Sequence, residues 1–440
     1  MKHPVRTYRS AFTKALGAES PGVGSALHAR ILAILVLAAF AAIFTVPAAA
    51  ADGDPADGYD AVWKVTSLDP DVRARAIAEL RNDGRRGLER LLEAHAEHWP
   101  RLQTASLELT DLPFLRLLGD AIDKVAGQKH ADVSRLFWFT DFERACAAAR
   151  AEGKPVLSLR LLGRLDEELS CANSRFFRTI LYPNSAIATR LREDWILHWE
   201  SVRPAPRITI DFGDGRRIER TITGNSIHYV LDADGNVLDA LPGLYAPDVF
   251  LERLDEARGT HARLVSLSQP ERAELLPRFH RAAAGALEDR YRKDLAVAIP
   301  CAEELPGADA SLETWEALGR LRPERSRIDG VSRGLIGRLH PTADEAMKRT
   351  VTKRFVEDPM LEIVRGLERS VAADTARNDY VLRRTILEWL AEGDASTKDV
   401  TALNDRVYAE LFKTPHDDPW MGLDSKDVFT GLRGRGLVLE

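Results

Sequence analysis

Cysteine is scarce in this chain: among 440 residues there are only Cys146, Cys171 and Cys301, widely spaced. That leaves no haem-attachment pair and no two-thiol redox motif. Other signatures are missing as well. There is no phosphate-binding glycine loop, no nucleophile elbow and no zincin helix. No basic groove interleaved with aromatics runs along the chain, and the acids, 67 against 61 basic residues, outnumber the cations. Both facts disfavour nucleic acid as a partner. A helical pair near the start has no second copy at a fixed period, which argues against a solenoid. The overall composition, 45% hydrophobic and 29% charged, is that of an ordinary globular protein long enough for two or three domains.

The N-terminus departs from that average. Lys2, Arg6, Arg9, Lys14 and Arg30, with the single acid Glu19, precede an apolar run from Ile31 to Val46 that is broken only by Thr45. The run ends in Pro47-Ala48-Ala49-Ala50-Ala51-Asp52, small residues that make an A-x-A-type cleavage site. Residues 1–51 therefore predict a signal peptide cut near Ala50. The alternative is a retained anchor, since Ile31 to Ala51 approaches the ~20 apolar residues of a spanning helix. Either way the body is expected outside the cytoplasmic membrane, periplasmic or extracellular. The nearest cysteine, Cys146, is too distant to be lipidated at the junction. Loss of the leader's five cations and one anion takes the formal charge from −6 to −10. In an oxidising compartment an odd cysteine count has two solutions. Either Cys146 pairs with Cys301 and leaves Cys171 free, or all three thiols are unpaired.

Past a polar linker, Asp52 to Gly58, residues 58–127 predict helices. Asp69-Pro70 is a helix start, and Val72, Ala76, Ile77 and Leu80 share one face before Asn82-Asp83-Gly84 breaks the run. Leu88, Leu91 and Leu92 stripe a second helix. From Asp132 the pattern turns to mixed α/β. Strands are expected at Val156 to Leu162, Trp195 to Trp199, Arg207 to Phe212, Arg216 to Ile222, Ile227 to Leu231 and Asn236 to Leu241, with a hairpin at Gly213-Asp214-Gly215. Residues 261–440 again predict helix, punctuated by prolines such as Pro270, Pro277 and Pro300. Leu361, Val364, Leu367 and Val371, continued by Val381, Leu382, Ile386, Trp389 and Leu390, form the clearest buried stripe. The tail around Trp420 is loop-like and is expected to pack that indole on a helical body.

Residues 132–257 carry a resemblance. Trp138, Phe142, Ala145 and Ala148 form a short helix before Lys154-Pro155 and the first core strand. Cys171-Ala172-Asn173-Ser174 follows a loop, Tyr182-Pro183-Asn184-Ser185 continues the next helix, and Tyr229-Val230-Leu231-Asp232 leads to a hairpin at Gly235, with Gly243 before the last helix. In order and spacing this resembles the exported branch of the thioredoxin-like superfamily. The resemblance implies an α/β thioredoxin-like central domain flanked by α-helical regions, α+β and multidomain overall. It also places Cys171 and Ser174 at the two active-site positions, with Ser226 at the family's cis-proline position and His228 beside it lining the binding groove.

The departures bear on function. Ser174 replaces the second cysteine, so no internal disulfide can form. A cis bond before a non-proline residue costs about 2.5–4 kcal/mol, so the family's cis geometry is not expected at Ser226. Asp166, Glu167 and Glu168, in a long loop before Cys171, would raise a nearby thiol's pKa. A helix N-terminus would lower it. With Cys171 as nucleophile and Ser174 as its hydrogen-bond donor, the site could form a mixed disulfide but not resolve it. If Cys171 is buried, it is a small apolar core residue.

The remaining constellations are weaker. His95 and His98 are spaced for a metal, but His95 continues a leucine stripe. Asp232-Ala233-Asp234-Gly235-Asn236 lacks the further ligands of a calcium loop and predicts a turn. His416-Asp417-Asp418 predicts a solvated turn, and no residue pattern points to a metal or cofactor. The expectation is thus an exported protein with a degenerate thioredoxin-like site, acting as a non-catalytic binding or scaffold module of the cell envelope. Its partners would be proteins, met through the groove or the helical flanks. The alternative is a single-thiol disulfide exchange or isomerisation protein.

Overall fold

Asp69 opens the first helix, α1 (Pro70–Asn82), as its spacing predicts. Its carboxylate accepts from the amides of Asp71 at 2.9 Å and Val72 at 3.3 Å, and Pro70 occupies the first turn where no amide proton is required. Helix α2 (Arg85–Ala94) folds back so closely that a Cβ on Gly87 would stand 1.9 Å from the Leu80 carbonyl oxygen. With α3 (Pro113–Ala126), these helices bury Leu80, Leu88, Leu91, Leu118 and Ile122 in a core of their own, closed by Phe137. The computed structural model describes residues 61–104, 113–302, 304–339, 359–393, 397 and 399–421. All belong to one compact unit that begins at Gly58. The expected leader, 1–51, lies outside the described residues, as does Phe355. Among the described residues no helix is long and apolar enough to cross a membrane.

Helix α4 (Phe142–Glu152), capped by Asp141, leads to a four-stranded mixed sheet of order β2-β1-β5-β6. Strand β1 (Val156–Leu162) is buried along its whole length, as expected of an interior strand covered on both faces. It pairs parallel with β2 (Ile196–Arg203) and antiparallel with β5 (Ser226–Leu231), which pairs antiparallel with β6 (Val237–Pro242). The β1-to-β2 crossover contains α5 (Ala172–Phe176), prolonged by a π-type turn at Phe177–Leu181, and α6 (Ser185–Asp194). Strands β3 (Arg207–Asp211) and β4 (Arg217–Thr221) form a separate two-stranded ribbon between β2 and β5. Asp232 organises the next turn, its Oδ1 accepting from the amides of Asp234 and Asn236.

Among the described residues the chain continues through α7 (Pro247–Leu264), α8 (Gln269–Ala298), α9 (Leu312–Gly319), α10 (Gly330–Leu339), α11 (Pro359–Arg377) and α12 (Arg384–Glu392). A π-type turn at Asn378–Arg383 joins the last two. Pro277 does not punctuate the chain as expected. It lies inside α8, whose next turns are held by buried His280, Ala284, Leu287 and Tyr291. Of the predicted C-terminal stripe, Val371, Val381, Leu382, Ile386, Trp389 and Leu390 are buried, whereas the side chains of Leu361 and Val364 lie outside the described residues.

The main core spans the sheet and continues into α13 (Val400–Arg406) and its extension Val407–Leu411. Leu403, Val407 and Tyr408 join Leu159, Leu161, Ile227 and Tyr229 in one cluster. The tail differs from expectation. A turn in which the Met421 amide donates to the Asp418 carbonyl sends Met421 into that core and leaves Trp420 43% exposed. The architecture is α+β, mostly helical with a small mixed sheet.

Candidate functional site

The site is built where β1 ends. Gly163, with φ of 75°, turns the chain away; its amide donates to the Arg203 carbonyl at 2.7 Å. The loop to Ser170 then doubles back, and the Cys171 amide donates to the Leu162 carbonyl. Cys171 thereby becomes the N-cap of α5. The Ser174 backbone amide donates to its Sγ at 3.4 Å, while the Ser174 hydroxyl pairs with Ser170 Oγ. The expected side-chain donor to the thiol thus has Ser170 as a second partner, and its own effect on the thiol is a minor one.

The loop's acids face cations. Arg164 holds Asp166 and Glu167, and Glu168 lies 3.6 Å from Arg178. Arg178, whose side chain is 1% exposed, donates to the carbonyls of Glu167 and Glu168 and to Ser170 Oγ. It is the clamp that keeps the loop folded over Cys171, and burial lowers its pKa. Sequence reasoning missed it. The signal was its position: Cys171, Ser174 and Arg178 follow the i, i+3, i+7 spacing of one helix face.

Ser226 enters from β5 and its Oγ accepts from Asn173 Nδ2 at 2.9 Å. Gly224 allows that approach, for a Cβ there would stand 2.7 Å from Asn173 Oδ1. No peptide bond among the described residues is cis. His228, two residues further along β5, is fully buried against the rings of Phe177 and Phe250. Its Nε2 is 2.7 Å from the Tyr182 hydroxyl, and its Nδ1 has no hydrogen-bond partner among the described residues. Burial lowers its pKa to about 3, so the ring is neutral. Cys171, Ser174 and Ser226 are thus gathered at one corner through Ser170 and Asn173, whereas the polar partner of His228 is Tyr182 rather than the thiol.

Cys171 is 0% exposed, and burial pushes its thiol pKa up against the smaller opposing effect of the Ser174 amide. The helix start does not prevail over burial, and the loop acids are not what raises the thiol. The C-terminal segment seals the corner. Tyr408, fully buried and near enough to feel the charge of Cys171, donates to the Asn225 carbonyl. Asn225 Nδ2 donates to Thr414 Oγ1 at 2.8 Å, and Arg203 donates to the Asp418 carbonyl at 2.9 Å. At neutral pH this arrangement holds a protonated thiol, a neutral imidazole and hydroxyls that bond to one another.

Cys146 is buried and Cys301 exposed, and both are free thiols like Cys171. His95 is a core residue with Nε2 2.7 Å from the Val62 carbonyl, and His98 faces Glu97. Among the described residues no group of three or more His, Cys, Asp or Glu is placed to hold a metal ion. Comparison with family models, with curated proteins and with solved structures gives no match.

Proposed function

We propose that this is an exported protein whose central unit is thioredoxin-like, with a degenerate active site, and serves as a non-catalytic binding or scaffold module of the cell envelope. Support for the fold comes from the sheet order β2-β1-β5-β6, with β1 and β2 parallel and β5 reversed, and from a helix that begins at Cys171 directly after the first strand and loop. Support for export comes from the basic and apolar character of residues 1–51 and their Ala-rich end. The division into helical, central and C-terminal parts is retained as a functional description: the flanks are the surface offered to protein partners.

One observation carries the non-catalytic reading. The thiol that would have to act as nucleophile is fully buried, with its pKa raised by that burial. A thiol attacks as thiolate and needs access, and Cys171 has neither property. The test is the pH dependence of Cys171 alkylation in a Cys146→Ser/Cys301→Ser protein. No labelling before unfolding is the expected result. Rapid labelling with an apparent pKa below the ordinary ~8.5 would overturn it and favour single-thiol exchange by Cys171.

A further inference from the structure

Between α6 and α10 lies a cavity of about 450 Å³ whose walls include Arg135, Arg192 and Arg338 and no carboxylate. Four other cavities in the molecule each carry acids: Asp294 with Asp379, Glu316 with Glu368, Asp239 with Glu256, and Glu89, Glu93 and Glu193 in a neighbouring hollow that Arg135 and Arg192 also line. In a chain of formal charge −6, three cations around an acid-free hollow run against composition.

The charges are unequally matched. Arg338 is paired with Asp132, at 2.8 and 3.3 Å. Arg192 donates only to neutral groups, the Ser134 carbonyl at 2.7 Å and Thr189 Oγ1 at 3.2 Å. Arg135 lies over the Trp99 ring at 5.3 Å, and among the described residues neither it nor Arg192 has a carboxylate partner. The two are close enough that the charge of Arg135 adds to burial in lowering the Arg192 pKa. Arg135 also has φ of 55°, the left-handed region that a side-chain-bearing residue rarely adopts. Glu193 partly offsets this repulsion at Arg192, but no carboxylate lies within ion-pair distance of either guanidinium among the described residues.

The α6 amides are already spent: Ser185 N–H goes to Asp329, and those of Ala186 and Ile187 go to Asn184. Recognition therefore falls to side chains. Thr189 accepts from Arg192 and keeps its own hydroxyl proton to donate, and Ser185 supplies a second hydroxyl. Val133, Val331 and Leu335 give an apolar wall, and the space beside Gly330 and Gly334 is open.

We infer that this cavity binds a phosphate monoester with a small apolar body, its head on Arg135 and Arg192 and its body against Val133, Val331 and Leu335. A dianionic head matches two cations that lack a carboxylate ion-pair partner among the described residues, and guanidinium forks suit phosphate oxygens. This assignment is independent of the Cys171 site. The same chemistry is presented by a soluble ester or by an anionic lipid headgroup.

Titration calorimetry of the full chain with butyl phosphate, at constant ionic strength, tests it. Single-site binding at least about tenfold tighter than that of inorganic phosphate is expected. Arg135→Glu should weaken it by about tenfold or more. Gly334→Leu, which fills the hollow but keeps every cation, should do the same and covers the case in which the charge variant fails to fold. Heats equal to those of chloride, or binding indifferent to both substitutions, would overturn the assignment. Vesicles of phosphatidylcholine with phosphatidic acid then separate the sources. Sedimentation abolished by Arg135→Glu identifies a lipid headgroup, and butyl phosphate binding without sedimentation identifies a soluble ester. Sedimentation unchanged by Arg135→Glu counts against the site.

Discussion

The Tyr408 hydroxyl donates to the Asn225 carbonyl at 3.2 Å, across 183 positions of sequence. Asn225 immediately precedes Ser226, so a side chain from the C-terminal segment occupies the backbone acceptor next to the thiol's corner. The ring is fully buried in the same core cluster as Cys171. Tyr408→Phe, which removes only the hydroxyl, should cost about 1 kcal/mol in urea unfolding and leave Cys171 unlabelled in the native protein. Tyr408→Ala should cost about 3–5 kcal/mol, as large aromatic truncations in cores do. It should also open Cys171 to alkylation with only a shallow urea dependence, the mark of local rather than global opening. Equal labelling rates in the two variants, once corrected for stability, would show that Tyr408 does not guard the thiol.

Arg178 is the second element of the seal. Its buried guanidinium is hydrogen-bonded chiefly to carbonyls; Glu168 is 3.6 Å away and 68% exposed, and Asp123 adds a weaker attraction. Arg178→Met preserves bulk but removes all of Arg178's own hydrogen bonds to the 163–170 loop. A loss of about 1.5–3 kcal/mol is expected, with faster proteolysis confined to that loop. Arg178→Lys should rescue only part, because one ammonium cannot reproduce the fork that reaches both carbonyls. Full rescue by lysine would mean that charge alone, rather than geometry, holds the loop.

Local features were legible in the sequence. The start at Asp69-Pro70, the continuous apolar run of β1, the hairpin at Gly213-Asp214-Gly215 and a cysteine opening a helix each depend on a few adjacent residues, and their periodicities are strong. What escaped depends on partners far along the chain. Cys171 is buried in one core cluster with Tyr408 from far along the chain, and the Ser174 hydroxyl bonds to Ser170 where the loop doubles back. Trp420 and Met421 exchanged roles because a turn decided which of two neighbours faces the core. Pro277 was legible as a residue but not as a helix interior, since packing of the following turns outweighs its missing hydrogen bond. Arg135 and Arg192 come from separate elements, so no local pattern announces the cavity they line.

Acid should destabilise this fold through histidines that are buried neutral. His228, His198 and His130 are lowered to about 3, the first by burial, the second by burial and then by Arg160, the third by burial and then by Arg178. In the unfolded chain all three titrate near the ordinary ~6.5. Above that value neither state binds the proton, and the full stability is present. As pH falls below it the unfolded state takes up protons that the native state refuses, and stability drops until the native groups themselves protonate near 3. Each contributes a slope approaching about 1.4 kcal/mol per pH unit within that window. Asp123 acts oppositely: burial raises it to about 7, so its contribution is full below its unfolded value and lost as pH rises towards 7. These three histidines against Asp123 leave a net gain of stability from about pH 4 to 6.5. Urea unfolding at several pH values should show this rise, and His228→Phe should flatten it by about one proton's worth while leaving the remainder from His198 and His130. An unchanged slope in that variant would mean that His228 is not held neutral.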